Sequence, residues 1–200
     1  MKKIYDIVVV GGGHAGCEAA YAASKKNHQT LLVTTNLKNI ADMPCNPSIG
    51  GTAKGIVVRE IDALGGIMGK VADRSHFQIK MLNPKKGLAV RSLRAQADKK
   101  VYPKEMLKYL NKNKKLTILE GTVTKILVNN NTVVGVVVDG KTEIKCSAVI
   151  LTTGTYLRSQ LLVGNQKTIS GPHGEKTSPF LSENLKELGF ELLRLKTGTP

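Results

Sequence analysis

The sequence has 200 residues, of which 41% are hydrophobic, 22% charged and 4% aromatic, with no tryptophan. This composition is typical of a globular protein with an aliphatic core, and no apolar run reaches the ~18 residues that a membrane-spanning helix needs. The net charge of +15 favours a polyanionic partner such as nucleic acid. Scattered lysines can equally serve solubility, so the charge alone leaves both interpretations open.

Cysteine usage predicts a reduced, cytoplasmic protein. The sequence has three cysteines, Cys17, Cys45 and Cys146, which is an odd number. Their spacing matches neither a metal site nor a CxxC motif, so we predict no metal site. A signal peptide is not predicted, because Asp6 interrupts the first apolar run and glycines follow it directly.

The first thirty residues predict one βαβ unit. A β-branched run over Ile7–Val10 reads as a buried strand, the alanine-rich stretch CEAAYAASKK as a helix, and Leu31–Val33 as a second strand. Between the first strand and the helix lies GGGHAG, which has the spacing Gly11-x-Gly13-x-x-Gly16. This context is the one in which the dinucleotide fingerprint binds a pyrophosphate.

The whole fingerprint is a candidate cofactor-binding segment. The first glycine permits a tight turn, the second lets the backbone approach the pyrophosphate, and the third allows close packing of helix and strand. The alternative is a tight turn without a ligand. The acid expected for a ribose at the end of the second strand is replaced by Thr34-Thr35-Asn36, which weakens the case for NAD. The candidate residues are Gly11, Gly12, Gly13, His14, Ala15 and Gly16.

A long irregular loop over residues 36–55 carries Cys45 between Pro44 and Pro47, just before Gly50-Gly51. Long loops in compact domains are often functional, whereas a free cysteine is most often a small buried hydrophobe. The residues by themselves leave open whether the loop presents a sulfur to a ligand.

The sequence that follows this loop predicts helices first and then strands. Helices are expected over residues 56–64 and 94–114, with Pro103 near the first turn of a helix, while residues 70–95 give no clear pattern. Strand-like runs follow at 116–128, 132–138 and 143–146, and a short buried strand at 148–151 ends in Thr152-Thr153-Gly154. Residues 164–180 read as loop, and Leu181, Leu185 and Leu188 mark the apolar face of a last helix.

This order of elements resembles FAD enzymes of the glutathione-reductase type. In those enzymes an antiparallel meander, here about 116–146, interrupts the Rossmann unit, and the returning strand ends in a Thr-Gly near the flavin phosphates. The matching residues are Thr153 and Gly154. The predicted fold class is therefore α/β, a Rossmann-like FAD-binding domain with an inserted antiparallel β-meander, incomplete at the C-terminus.

Five longer segments together carry a resemblance to one family. They are GGGHAGCEAA (11–20), MPCNPSIGG (43–51), KGIVVREIDALGG (54–66), LNPKKGLAVRSLRAQADK (82–99) and LKTGTP (195–200). These segments resemble the tRNA uridine 5-carboxymethylaminomethyl modification enzymes (MnmG or GidA), and the resemblance covers all 200 residues. Leu88 departs from the pattern, because the family usually has proline there.

The resemblance implies an FAD-dependent enzyme that acts with a GTPase, MnmE, on C5 of the wobble uridine of tRNA. It implies methylenetetrahydrofolate as carbon donor, NADH as reductant, glycine or ammonium as nitrogen donor, and an aminomethyl or carboxymethylaminomethyl product. A homodimer and a heterotetramer with MnmE are implied as assemblies. The NADH-binding insertion, a second active cysteine and a C-terminal region for tRNA and partner would follow position 200. Residues 1–200 are then the N-terminal part of the FAD-binding domain, expected to be inactive alone.

The resemblance also implies individual roles. Residues 11–16 would hold the FAD pyrophosphate, Val123 would contact adenine through its backbone, and Ser178 would contact FAD. Cys45 matches a cysteine linked to activity, whose thiol adds to C6 of uridine or acts as an acid–base or redox group. The other two cysteines are expected to be packing residues. Two alternatives are a folate- and FAD-dependent tRNA uridine C5-methyltransferase, against which MPCNPSIGG argues, and a catalytically inert FAD- or tRNA-binding fragment.

Overall fold

A computed structural model describes residues 4–44, 46–171, 174–175 and 177–196. The strands are β1 Tyr5–Val10, β2 Thr30–Thr34, β3 Ser48–Gly50, β4 His76–Leu82, β5 Ser92–Ala97, β6 Leu116–Glu120, β7 Val123–Asn129, β8 Thr132–Val138, β9 Thr142–Leu151, β10 Leu161–Val163 and β11 Gln166–Thr168. The helices are α1 His14–Lys25, α2 Lys54–Ala63, α3 Met68–Ser75, α4 Val101–Asn111 and α5 Pro179–Glu187, with 3-10 turns at Leu37–Asn39 and Leu88–Val90.

The main sheet has six strands in the order β6-β2-β1-β9-β8-β7. The strands β6, β2, β1 and β9 run parallel, whereas β9, β8 and β7 form an antiparallel meander. The strand β9 belongs to both parts, because its first residues up to Lys145 pair with β8 and those from Cys146 onward pair with β1. The predicted Rossmann-like fold with an inserted meander is confirmed.

The meander is shorter than predicted, because the run at 116–128 is two strands. The first, β6, joins the parallel sheet beside β2, and the meander begins only with β7 at Val123. The chain turns between them, where Gly121 N donates to Thr34 O at 2.8 Å and Thr122 N donates to Asp139 Oδ1 at 2.8 Å. A Cβ on Gly121 would lie 2.6 Å from Val138 Cγ1, so a side chain at this turn would displace the buried Val138. The separate strand predicted at 148–151 is the continuation of β9.

The helix predicted over 94–114 is wrong in its first part. Residues up to Ala97 belong to β5, the central strand of a second, antiparallel sheet with the order β3-β5-β4. Pairing on both sides outweighs the helical tendency of this segment. The helix α4 begins at Val101, where Asp98 Oδ1 accepts hydrogen bonds from Lys100 N at 2.7 Å and Val101 N at 3.0 Å. Pro103 lies in the first turn, as predicted.

The other predictions of secondary structure differ less. The helix α2 covers most of the predicted 56–64, and α5 buries Leu181 and Leu185. The predicted loops contain some regular structure, because 36–55 includes a 3-10 turn and β3, and 164–180 includes β11, which pairs with β10.

Two apolar clusters cover the two faces of the main sheet. On one face Val9 and Leu32 pack with residues of α1 and α4, including Cys17 and Tyr102. On the other face Val8, Val10, Leu31 and Val33 pack with the meander and α5. Alternation along β1 and β2 thus sends side chains into both clusters. Among the helices of the described residues, none is long and apolar enough to cross a membrane.

The edge strand β7 is protected by α5. The buried Asn184 side chain accepts a hydrogen bond from Ile126 N through Oδ1 at 2.7 Å. An unpaired amide on a sheet edge is a site for non-native strand pairing, and a buried one without a partner is costly. Asn184 therefore ties the meander to α5 and closes this edge.

Replacing Asn184 with alanine is expected to destabilise the fold by about 1–3 kcal/mol, because the amide of Ile126 loses its buried acceptor. The measurement is the urea midpoint of unfolding followed by circular dichroism. Lys186→Ala, on the exposed side of the same helix, is the control and is expected to change stability by less than about 0.5 kcal/mol. Equal stabilities of the two variants would contradict the role of Asn184.

Candidate dinucleotide-binding site

The GGGHAG segment lies at the carboxyl edge of the parallel strands. It connects the end of β1 at Val10 to the start of α1 at His14. Gly11 N donates to Val33 O at 2.8 Å, and Gly12 O accepts from Ala41 N at 2.8 Å. The loop is thus held by β2 and by the segment that follows β2, at the edge where open α/β sheets bind ligands.

Two of the glycines are required by the fold, and a third faces open space. A Cβ on Gly16 would lie 1.8 Å from Gly11 O, and a Cβ on Gly11, whose φ is +109°, would lie 2.4 Å from Thr152 O. Neither position can hold a side chain without moving the backbone. A Cβ on Gly13 would have no atom of the described residues within 4 Å. Gly13 is therefore the place where a ligand can approach the backbone directly.

The cap and the first turn of α1 contain no side chain that neutralises the helix N-terminus. Its N-cap residue Gly13 provides no side-chain hydrogen bond, and the first turn has no acidic residue. The free amides and the positive end of the helix dipole therefore face the open side of Gly13. Such a helix terminus is suited to a phosphate group.

The predicted Thr153 and Gly154 lie beside this loop, because β9 is the neighbour of β1. Thr153 is half-buried, and Gly154 is exposed with a φ of +54°. The preceding Thr152 makes the contact with the loop, since its Oγ1 donates to Val10 O at 2.9 Å and reaches Gly11 O at 3.1 Å. The sequence prediction missed Thr152, although it precedes the two predicted residues directly.

Val123 and Ser178, far apart in sequence, are in contact. Ser178 Oγ donates to Val123 O at 3.3 Å, and both residues are buried. Ser178 N donates to Tyr156 O at 2.9 Å, two residues beyond Gly154. This chain of contacts connects the start of the meander with the segment that follows β9.

A hydrogen-bonded cluster that the sequence did not indicate links three loops. The Glu175 carboxylate accepts from Tyr156 Oη at 2.8 Å through Oε2 and from Asn39 Nδ2 through Oε1. These residues belong to the segments after β9, before α5 and after β2. Burial first, and then the Glu175 carboxylate, raises the pKa of Tyr156, so its hydroxyl stays protonated and remains a donor.

His14 and Ala15 begin α1 at the mouth of the loop, where Ala15 is exposed and His14 half-buried. The ring of His14 lies 5.5 Å from that of Tyr102 in α4, centroid to centroid. Burial, followed by the charge of Lys54, lowers the pKa of His14 to about 4 against an opposing effect of Asp42. The imidazole is therefore neutral near pH 7.

Cys45 lies outside the described residues, and its two flanks are held by the second sheet and by Lys99. Lys99 Nζ donates to Pro44 O at 3.2 Å, and Ala97 N donates to Pro47 O at 2.7 Å. The other two cysteines lie in the core as free thiols. Burial raises the pKa of Cys17 to about 12 and also raises that of Cys146, so neither thiol is reactive at neutral pH.

The end of β2 has no acidic residue, but the adjacent strand of the sheet, β6, supplies a carboxylate at the same edge. Glu120 ends β6 directly beside Thr34, and its Oε2 accepts from Leu37 N at 2.9 Å. Sequence spacing along β2 does not reveal this carboxylate, because β6 reaches the edge from more than eighty positions further on.

Comparison with known proteins gives one family. The family described as Glucose inhibited division protein A (GIDA) matches residues 6–200. The chain is 59% identical over 197 residues to the "tRNA uridine 5-carboxymethylaminomethyl modification enzyme MnmG" of Acholeplasma laidlawii, covering 98% of this chain and 32% of that protein. The protein of the same name from Geobacillus thermodenitrificans is 55% identical over 196 residues, with coverage of 98% and 31%. The chain thus spans about a third of the length of these relatives.

Solved structures agree with this match. The GidA structure of Aquifex aeolicus in its form I crystal superposes with a TM-score of 0.95 at 49% identity, over 99% of this chain and 33% of that one. A GidA-related protein from Thermus thermophilus shares the fold, with a TM-score of 0.69 at 21% identity over 96% of this chain and 71% of that one. With its fingerprint, its meander and a family match over nearly its whole length, the chain belongs to the GidA (MnmG) family.

Proposed function

We propose that the chain is the N-terminal part of the FAD-binding domain of a tRNA-modifying enzyme. The observation that carries the cofactor assignment is the uncapped N-terminus of α1, at which Gly13 faces open space. The name of the relatives, tRNA uridine 5-carboxymethylaminomethyl modification enzyme, supports the substrate. The net charge of +15 is consistent with an RNA partner.

The residues present fit FAD. Gly13 and the first amides of α1 would hold the pyrophosphate, with Gly11, Gly12 and Gly16 shaping the loop. The backbone at Val123 and the Ser178 hydroxyl would hold the adenosine end, and Thr153 and Gly154 would line the same edge. Bound FAD supplies reversible electron and hydride transfer.

The complete reaction needs components that the family resemblance indicates. We propose that the full-length enzyme acts in the cytoplasm with the GTPase MnmE on C5 of the wobble uridine, adding an aminomethyl or carboxymethylaminomethyl group. Methylenetetrahydrofolate would supply the carbon and NADH the reducing equivalents. The assembly would be a homodimer that forms a heterotetramer with MnmE.

Cys45 is the proposed nucleophile. Its thiolate adds to C6 of uridine, and the electron pair of the C5–C6 bond makes C5 nucleophilic toward the carbon donor. Loss of the C5 proton and departure of the thiolate then restore the base. Cys17 and Cys146 are unsuitable, because both are buried with raised pKa values. The lysines beside the loop, Lys99 and Lys54, bring the positive charge that favours a thiolate.

Gly13→Ala tests the cofactor site. At this position the φ of −72° suits alanine, and a Cβ would have no atom of the residues that the structure describes within 4 Å, so the fold is expected to lose at most about 1 kcal/mol. The added methyl group would occupy the space of the pyrophosphate and weaken FAD binding at least about tenfold. Binding is measured from the visible absorbance and the fluorescence quenching of added FAD.

The matched control is Gly87→Ala, because Gly87 has a φ of −57° and equally open space but lies outside the loop. It is expected to retain wild-type FAD affinity. Absence of FAD binding by the wild-type chain, or equal affinities of the Gly13 and Gly87 variants, would overturn the placement of the pyrophosphate.

Cys45→Ser tests the nucleophile in a full-length protein that carries this chain. We expect modified wobble uridine, measured by mass spectrometry of digested tRNA, to fall at least about a thousandfold, while FAD remains bound. The control is Cys146→Ser, a buried position with no role in the proposed chemistry, which is expected to retain modification. Modification by the Cys45 variant at the wild-type level would remove the thiol from the mechanism.

A further inference from the structure

Two polar atoms that face the interior beside the phosphate loop have no hydrogen-bond partner among the described residues. They are His14 Nε2, at the first position of α1, and Tyr102 Oη, in the first turn of α4. Their rings are neighbours, with centroids 5.5 Å apart and planes inclined by 38°. A buried polar group without a partner costs about 1–3 kcal/mol, so such a pair needs an explanation.

The two atoms are chemically complementary. Burial is the first cause of the lowered pKa of His14, and it likewise raises the pKa of Tyr102, to which Cys17 and Glu18 add. Both rings are therefore neutral near pH 7. A neutral tyrosine hydroxyl can donate, and one nitrogen of a neutral imidazole must accept.

The hydroxyl is what distinguishes Tyr102 from a simple core residue. Tyr102 is 0% exposed and packs in the cluster that includes Cys17, Met106 and Leu110. A phenylalanine would fill the same volume without burying an oxygen. The position of this hydroxyl next to the only titratable side chain in the GGGHAG segment points to a polar role.

If Nε2 accepts, the ring proton is on Nδ1, because the two nitrogens of a neutral imidazole have opposite roles. Unlike Nε2, Nδ1 is not among the buried atoms that lack a partner in the described part of the chain. His14 follows Gly13 directly, and Gly13 is the residue whose open face would meet a phosphate. An Nδ1–H donor at this point adds a side-chain hydrogen bond to those of the free helix amides, without burying another charge.

We propose that Tyr102 is a positioning residue for the cofactor: its hydroxyl donates to His14 Nε2, after a small ring rotation or through one water, and fixes His14 as the tautomer whose Nδ1–H donates to a phosphate of FAD. The donor role rests on the proposed cofactor, whereas the tautomer is a property of the free chain. Neutral histidines at helix N-termini act as hydrogen-bond donors in the same way in other proteins.

The tautomer is measured by two-bond ¹H–¹⁵N correlation spectra of the ¹⁵N-labelled chain near pH 7. These spectra distinguish a protonated from an unprotonated ring nitrogen, and His14→Gln identifies the signals of His14 among the four histidines. We expect Nδ1 protonated and Nε2 unprotonated in the free chain. Tyr102→Phe is expected to shift the population toward the tautomer protonated on Nε2. Tyr109→Phe, a conservative change on the same helix, is the control and leaves the signals unchanged.

FAD titration gives the second readout. Tyr102→Phe and His14→Gln are each expected to weaken FAD binding about tenfold, and the double variant no more than either alone, because both remove the same hydrogen bond. Tyr109→Phe is expected to bind as wild type. Additive losses would assign Tyr102 a role in packing alone and overturn the proposal.

Each remaining outcome is decisive. The proposed hydrogen bond from Tyr102 to His14 is overturned if Nε2 is protonated in the wild-type chain. It is also overturned if Tyr102→Phe leaves the His14 signals unchanged. If His14 is doubly protonated in the FAD complex, the proposal that it donates as a neutral imidazole is overturned. If the wild-type chain does not bind FAD, the cofactor assignment fails together with the donor role, while the spectra of the free chain still decide whether Tyr102 fixes the tautomer.

Discussion

The structure depends on the close approach of three backbone segments at one point of the sheet. The turn at Gly11, the first turn of α1 at Gly16 and Thr152, directly after β9, are so near one another that a methyl group on either glycine would overlap a carbonyl oxygen. This contact fixes the direction in which α1 leaves the sheet. It also leaves the helix amides and the open face of Gly13 pointing to the same side. Fold and candidate site are therefore set by the same steric constraint.

The site has little negative charge near the phosphate loop. The first turn of α1 has no acid, Lys54 is close enough to affect His14, and Asp42 is the acid that opposes it. The nearby Glu175 is held by Tyr156 and Asn39 and connects loops. An anionic ligand would thus meet backbone amides, neutral donors and lysines, and its binding would relieve an unbalanced positive potential.

The sequence predicted the elements whose signal is local. The β-branched run before GGGHAG and the turns at 129–131 and 139–140 define β1 and the strands of the meander, because period and turn chemistry suffice there. It did not predict that 116–128 divides between two parts of the sheet, because the turn at Gly121 is fixed by Thr34 and Asp139. It misread Arg94–Ala97 as helix, because pairing with β3 and β4 decides that segment. Glu175, Thr152 and Tyr102 escaped notice for the same reason, since their partners are distant in sequence.

The shared strand β9 has a consequence for how the chain is made. Val10 pairs with Leu151, so the side of β1 that faces β9 stays unpaired until Leu151 has left the ribosome, on the order of ten seconds later. During that interval the apolar side chains of β1 and β2 lack the later elements that bury them in the folded protein. Because the first strand of this topology pairs with a strand made much later, we expect slower folding than in a protein of the same size with mainly local contacts.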